Sequence, residues 1–263
     1  MRVIAAVGTA ALLMVTAVPW QPGRAEAQDL PATARAAAPG WEFHVAPYGW
    51  MASLSGTLDA GPRVPPAKVD LSFGDILENL DAGLMIAGFA RHDRFVMYGD
   101  FAWVGLSASA AVTTPLPISG TANVDLVFGT LAAGYRVVQE PHFYVDVVAG
   151  ARAWEISGKA NLRFAGTPVE NPSFTMSWVD PVIGAHAAIR IAPNWSIMLE
   201  ADVGGFGVGS RFSWQALATV NYSFNDWLSG AVGYRHLDVN YQSNGQVFDA
   251  YVTGPIMGLV FRF

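Results

Sequence analysis

Twelve ionisable side chains fall where an alternating chain would turn them to one side: Glu42, Arg91, Asp100, Asp125, Asp146, Arg152, Asp180, Arg190, Glu200, Asp202, Arg235 and Arg262. Gathered in a narrow interior, seven carboxylates and five guanidiniums would need one another, because an unpaired charge in a low-dielectric space is costly. Two outcomes are open. The groups line an aqueous path and select what passes, or they form a salt-bridge core that plugs it.

Other constellations are weaker. His236 and Asp238 are two residues apart, and a His beside an Asp can activate water. Such a centre also needs an acidic pair across a cleft, and none is recognisable at that level of the chain. Ser177 and His186 are separated by nine residues, roughly 30 Å on a strand at ~3.3 Å per residue, which rules out a Ser–His nucleophile. There is no cysteine, so thiol chemistry, thiolate metal sites and disulfides are excluded. The five histidines are scattered, and no phosphate loop or zinc spacing is present. The expectation is no catalytic residue, no metal and no cofactor in a protein that is not an enzyme.

What would position these charges is a set of segments with a period of two. Strands are expected near 41–57, 82–92, 94–112, 119–137, 142–163, 173–191, 194–208, 212–223, 227–242 and 247–263. In 142–163, Phe143, Val145, Val147, Ala149, Ala151 and Ala153 oppose Asp146 and Arg152. In 173–191, Val179, Ile183, Ala185, Ala187, Ile189 and Ile191 oppose Asp180, His186 and Arg190. Hydrophobic residues make up 52% of the chain and charged ones 14%, yet after the first twenty residues no stretch reads as a spanning helix. A face that is continuously apolar, with aromatics near its ends, suits lipid; a charge at mid-bilayer on that face would cost about 2–4 kcal/mol for Arg or Lys. The charged face therefore points to a lumen. The expected fold is all-β: a single transmembrane antiparallel up-and-down barrel of about ten strands. Strict alternation also sends His236 and Asp238 toward lipid, which requires either a phase-shifting bulge or a position above the bilayer.

Short connections at His92–Asp93, Gln139–Pro141, Pro193–Asn194 and Asn225–Asp226 contrast with longer ones over 59–81 and 165–172. That asymmetry matches short periplasmic turns and longer external loops. Within the first long loop, segment 73–81 opens with a helical pattern that Ser72 or Asp75 could cap, acting as a gate or simply ordering the loop. Residues 1–27 read as a signal peptide, with a basic start at Arg2, an apolar run and Ala25-Glu26-Ala27 as the cleavage pattern; 28–40 read as a flexible periplasmic lead-in to a barrel domain over 41–263. Loss of Arg2, Arg24 and Glu26 takes the formal charge from −6 to −7, which argues against a nucleic-acid partner.

The segments VAPYGWMASLSGTL (45–58), VDLSFGDILENLDAGLM (69–85), WVDPVIGAHAAIR (178–190), ADVGGFGVGSRFSWQA (201–216) and GYRHLDVNY (233–241), with the ending GPIMGLVFRF, resemble a family of proteobacterial outer-membrane β-barrel proteins. The resemblance spans essentially 41–263. It implies an outer-membrane barrel among outer-membrane lipids, and it carries no reaction or substrate to transfer. The terminal aromatic Phe263 resembles the signal read by the outer-membrane assembly machinery. Function is thus expected to be structural or a narrow passive channel for small solutes. The alternatives are a surface interaction barrel acting through its external loops, and a rim hydrolase of omptin type.

Overall fold

Alternation becomes a wall. The computed structural model describes residues 40–61, 66–112, 118–164, 167–168 and 171–263, so the signal-peptide segment and all of the lead-in except Gly40 lie outside the described residues. The elements are β1 (Glu42–Trp50), β2 (Ser53–Asp59), β3 (Ala67–Leu71), α1 (Phe73–Glu78), β4 (Leu80–His92), β5 (Phe95–Val112), β6 (Ile118–Gln139), β7 (Phe143–Phe164), β8 (Thr167–Pro168), β9 (Ser173–Ala192), β10 (Trp195–Gly204), β11 (Phe212–Ser223), β12 (Leu228–Ser243) and β13 (Gln246–Arg262). Every pairing is antiparallel, and β13 closes the wall on β1 through Val45↔Phe261 and Trp50↔Ile256. With β1 and β2 counted as one interrupted strand, and β3 and β8 set aside as loop strands, ten strands form the barrel.

Following register partners once around the wall from position 43 leads back to position 55, a stagger of twelve residues. Ten strands with that stagger tilt by about 40° to the barrel axis. β6 and β7 each run 22 residues, about twice the 9–11 needed to cross a bilayer, so both project well beyond it. Among the described connections the tightest on the long-loop side is Asn244–Gly245, with φ of 52° and 76° between paired Ser243 and Gln246. Both residues sit in the left-handed region that a two-residue type I′ hairpin demands.

The sequence reading differs from the structure at the first strand. It is broken at Met51–Ala52, where β1 ends its pairing with β4 at Pro47↔Ile86 and β2 pairs instead with β3. Strand β3 was not expected, because its five residues lie inside a loop and lack a clear alternating run.

The outward face is apolar. Leu131, Val232, Ile183, Met257 and Leu199 are all exposed along it. Aromatics ring the short-turn end: Trp41 packs edge-on against Phe95 at 6.3 Å, Trp195 tilts on Tyr222 at 4.8 Å, and Trp227 stacks on Phe261 at 6.2 Å. A second ring, including Trp214 and Tyr251, stands toward the long-loop end, which gives the two interfacial girdles of a membrane barrel.

Helix α1 is capped by Ser72 in a reciprocal box: the Asp75 amide donates to Ser72 Oγ at 3.2 Å, and the Asp75 carboxylate accepts from the Ser72 amide at 2.9 Å. None of its residues is buried, so it orders the loop without entering the lumen. Hydrogen bonds from Ser72 hold the Asp75 carboxyl below its ordinary pKa. A depressed carboxylate stabilises above its unfolded pKa of about 3.9 and loses that contribution as pH falls through its folded value. Backbone chemical shifts of residues 73–78 are therefore expected to stay helical at pH 5 and to drift to coil values on acidification below about pH 4. Ser72→Ala is expected to show the coil shifts already at neutral pH.

Candidate functional site

Inward positions stack in three layers between the short-turn end and the long-loop end. At the mouth, Arg91 grips Glu42, which also accepts from the His44 ring at 2.8 Å. Arg262 reaches Ser223 Oγ at 3.5 Å, and Arg190 follows the lumen phase but stands exposed at the strand end. Just inside, Arg136 makes a two-pronged pair with the fully buried Asp146 at 2.7 and 3.0 Å; Tyr98 donates to the same carboxylate at 2.6 Å. The Arg136 guanidinium lies 3.7 Å from the centre of the Tyr144 ring.

A belt follows across mid-barrel. Arg152 donates to Asp202 at 2.7 Å and to Thr130 at 2.9 Å. Gln215 donates to Asp202 at 2.6 Å and to Glu200 at 2.7 Å, while its carbonyl accepts from Arg235 at 2.7 Å. Arg235 donates to Asp100 at 2.6 Å and to the Tyr48 hydroxyl at 3.1 Å; Tyr48 in turn donates to Asp100 at 2.6 Å. One network thus ties β1, β5, β7, β10, β11 and β12 across the lumen. Charges this buried persist because each guanidinium has a carboxylate within reach.

Beyond the belt the lumen is filled. Trp178 stacks on Tyr241 at 4.0 Å and on Trp154 at 5.5 Å, with Phe128 5.0 Å from Trp154 and Phe248 6.1 Å from Trp178. Met176, Leu237 and Val239 are each 1% exposed. The Arg235 guanidinium caps this cluster from below, 4.9 Å from Trp50 and 5.4 Å from Phe128. Strand lengths explain the filling. β10 ends at Gly204, opposite Val182, so the upper half of β9 has no β10 neighbour. The lumen narrows there, bringing Trp178 against β12 and β13, and Gln246 donates to the Thr175 carbonyl at 3.3 Å.

Asp125 requires a correction. It is in phase with Val127 and Leu131, exposed on the outer surface, and accepts from the Trp103 indole at 3.2 Å. Water, not lipid, adjoins the wall beyond the upper girdle, so an outward carboxylate is tolerated there. Asp180 is inward and fully buried but takes no arginine; it accepts from the Ser210 amide at 2.6 Å and the Trp178 indole at 3.2 Å. Two inward groups escaped the sequence reading. Arg136 precedes a register shift before Val138 that breaks the alternation, whereas Tyr48 is uncharged and gave no signal.

β12 carries no bulge. His236 and Asp238 face outward, and His236 lies between Trp214 at 4.7 Å and Tyr251 at 5.7 Å in the upper girdle. Ser177 is exposed outward while His186 is buried inward, so the two stand on opposite faces. No group of three or more potential metal-binding His, Asp or Glu side chains occurs among the described residues.

No protein-family model matches the sequence, and no curated protein does. Solved structures do. The outer membrane protease OmpT from Escherichia coli superposes with a TM-score of 0.50 at 11% identity over 86% of this chain and 97% of that one. The chain has the fold of an outer-membrane β-barrel. The translocator domain of the autotransporter NalP from Neisseria meningitidis gives 0.48 at 13% identity, covering 86% and 90% of the two chains. The attachment invasion locus protein Ail of Yersinia pestis, in complex with sucrose octasulfate, gives 0.34 at 14% identity, covering 86% and 100%. At these identities the likeness speaks for architecture alone.

Proposed function

We propose that this outer-membrane barrel is a structural protein whose resting lumen passes no solute. The observation that supports it is the aromatic stack of Trp154, Trp178 and Tyr241 with Phe128 and Phe248, which occupies the outer half of the lumen. Interiors packed like this leave no continuous path for water. The reading includes no catalysis: His236 and Asp238 are spread among girdle aromatics rather than set in a cleft. β13 turns Tyr251 and Leu259 outward and Phe263 follows it exposed, a surface that suits recognition by the outer-membrane assembly machinery.

Purified protein in planar bilayers is expected to show a flat current, without stepwise openings, across moderate voltages. Recurrent long-lived steps from the wild type would replace this reading with the narrow passive channel.

A second reading, surface interaction, draws on the tall wall of β5, β6 and β7. From Gly150, which is level with Gly204 through Val182, β7 continues fourteen residues to Phe164, roughly 46 Å along the strand at ~3.3 Å per residue.

A further inference from the structure

Below the belt the lumen opens into a cavity of about 240 Å3 that extends to the periplasmic mouth. At ~30 Å3 per water it has room for about eight waters, or one small organic molecule. Its walls are mostly small and apolar, among them Ala46, Ala132, Val148, Ala188, Ala231 and Val260. Its roof is the underside of the belt, where Asp100, Glu200 and Arg235 line the same space.

The roof is not electrically balanced. Three carboxylates, Asp100, Glu200 and Asp202, meet two guanidiniums, Arg152 and Arg235. Asp202 holds Arg152 at 2.7 Å and Asp100 holds Arg235 at 2.6 Å. Glu200 has a neutral amide, Gln215, at 2.7 Å and the His186 ring at 3.9 Å; no arginine or lysine lies within 4.0 Å of it among the described residues. Its side chain keeps 20% of its surface open to the cavity. A carboxylate that faces an apolar-walled cavity without an arginine or lysine partner is a place where an added positive charge removes a cost. Phe89 and Tyr98, 4.9 Å apart, line the same cavity with the ring surfaces that an organic cation favours.

From this geometry we infer that the cavity binds a small organic cation, with a primary ammonium on Glu200 and a compact apolar body among the alanines and rings below. The site goes beyond the closed-lumen reading, since it lies on the periplasmic side of the plug and needs no transport. Arg262 at the mouth makes the opposite electrostatic demand, so an anion is the proper competitor to test.

The test is calorimetric titration of the full chain folded in detergent micelles with benzylammonium, benzyl alcohol and benzoate. Benzylammonium is expected to bind one saturable site at least tenfold more tightly than the neutral alcohol. Glu200→Gln should weaken it at least tenfold. Ala231→Phe, which fills the cavity from the β12 wall without touching the belt, should abolish it. Folding of both variants is checked by heat-modifiable gel mobility, and Ala231→Phe keeps the test decisive if Glu200→Gln misfolds. Equal binding of alcohol and ammonium, tighter binding of benzoate, or no saturable heat with the wild type would each overturn the inference. A conducting wild-type barrel would instead remove the closed-lumen reading and leave this titration as it stands.

Discussion

Trp154→Ala, Trp178→Ala and Tyr241→Ala combined are expected to turn a silent barrel into one with resolvable stepwise conductance in planar bilayers. These three rings form the continuous stack across the outer lumen, and large aromatics of this kind each bury about 150–250 Å2. With these three rings gone, the route from vestibule to exterior is bounded by the belt, whose polar side chains can share space with water, and by the smaller remainder of the cluster around Phe128 and Phe248. Replacing Trp154 or Tyr241 alone should do less, since Trp178 still stacks on the remaining ring. A triple variant that retains heat-modifiable mobility yet stays silent would place the closure in the Arg235–Asp100–Tyr48 network instead.

The second large effect concerns that network. Arg235→Leu is expected to lower stability by about 3–5 kcal/mol, the usual consequence of leaving a buried charge without its partner. Asp100, Gln215 and Tyr48 all direct acceptors at this guanidinium, at 2.6, 2.7 and 3.1 Å. Adding Asp100→Leu should restore at least half of the loss, because the double variant no longer carries a stranded carboxylate. Urea titration of protein refolded into lipid vesicles measures both. A single variant within about 1 kcal/mol of wild type would mean that water reaches Asp100 freely and that the belt is wetter than its burial implies.

The side to which most residues point was legible from the sequence, because lipid penalises every error of phase. Phe143 to Ala153 and Val179 to Ile191 are outward as their alternation requires, and Asp146, Arg152 and Asp180 lie fully buried opposite them. Asp125 was misread for the same reason: above the girdle the outer surface meets water, and the rule that sorts charges inward has no force. Partner choice was not legible either. Asp180 is the register neighbour of Arg152, yet Arg152 turns to Asp202 and Asp180 caps the Ser210 amide. That outcome depends on strand stagger, which no single segment encodes. The plug did leave a trace, since Trp154 shares the phase of Arg152 and Trp178 that of Asp180. Alternation names a side but not a height along the axis, and height is what separates a lining from a stopper.

The early end of β10 and β11 gives the barrel a sloping rim. On one flank the wall stops near the upper girdle, with Phe206 and Val208 of the connecting turn exposed at that level. On the other, β6 and β7 rise far above it. An antibody or phage receptor-binding tip approaching an intact cell through the lipopolysaccharide layer would find purchase on the tall flank, while the low flank stays shielded by sugar. Escape variants selected by either should therefore cluster on the distal parts of β5, β6 and β7.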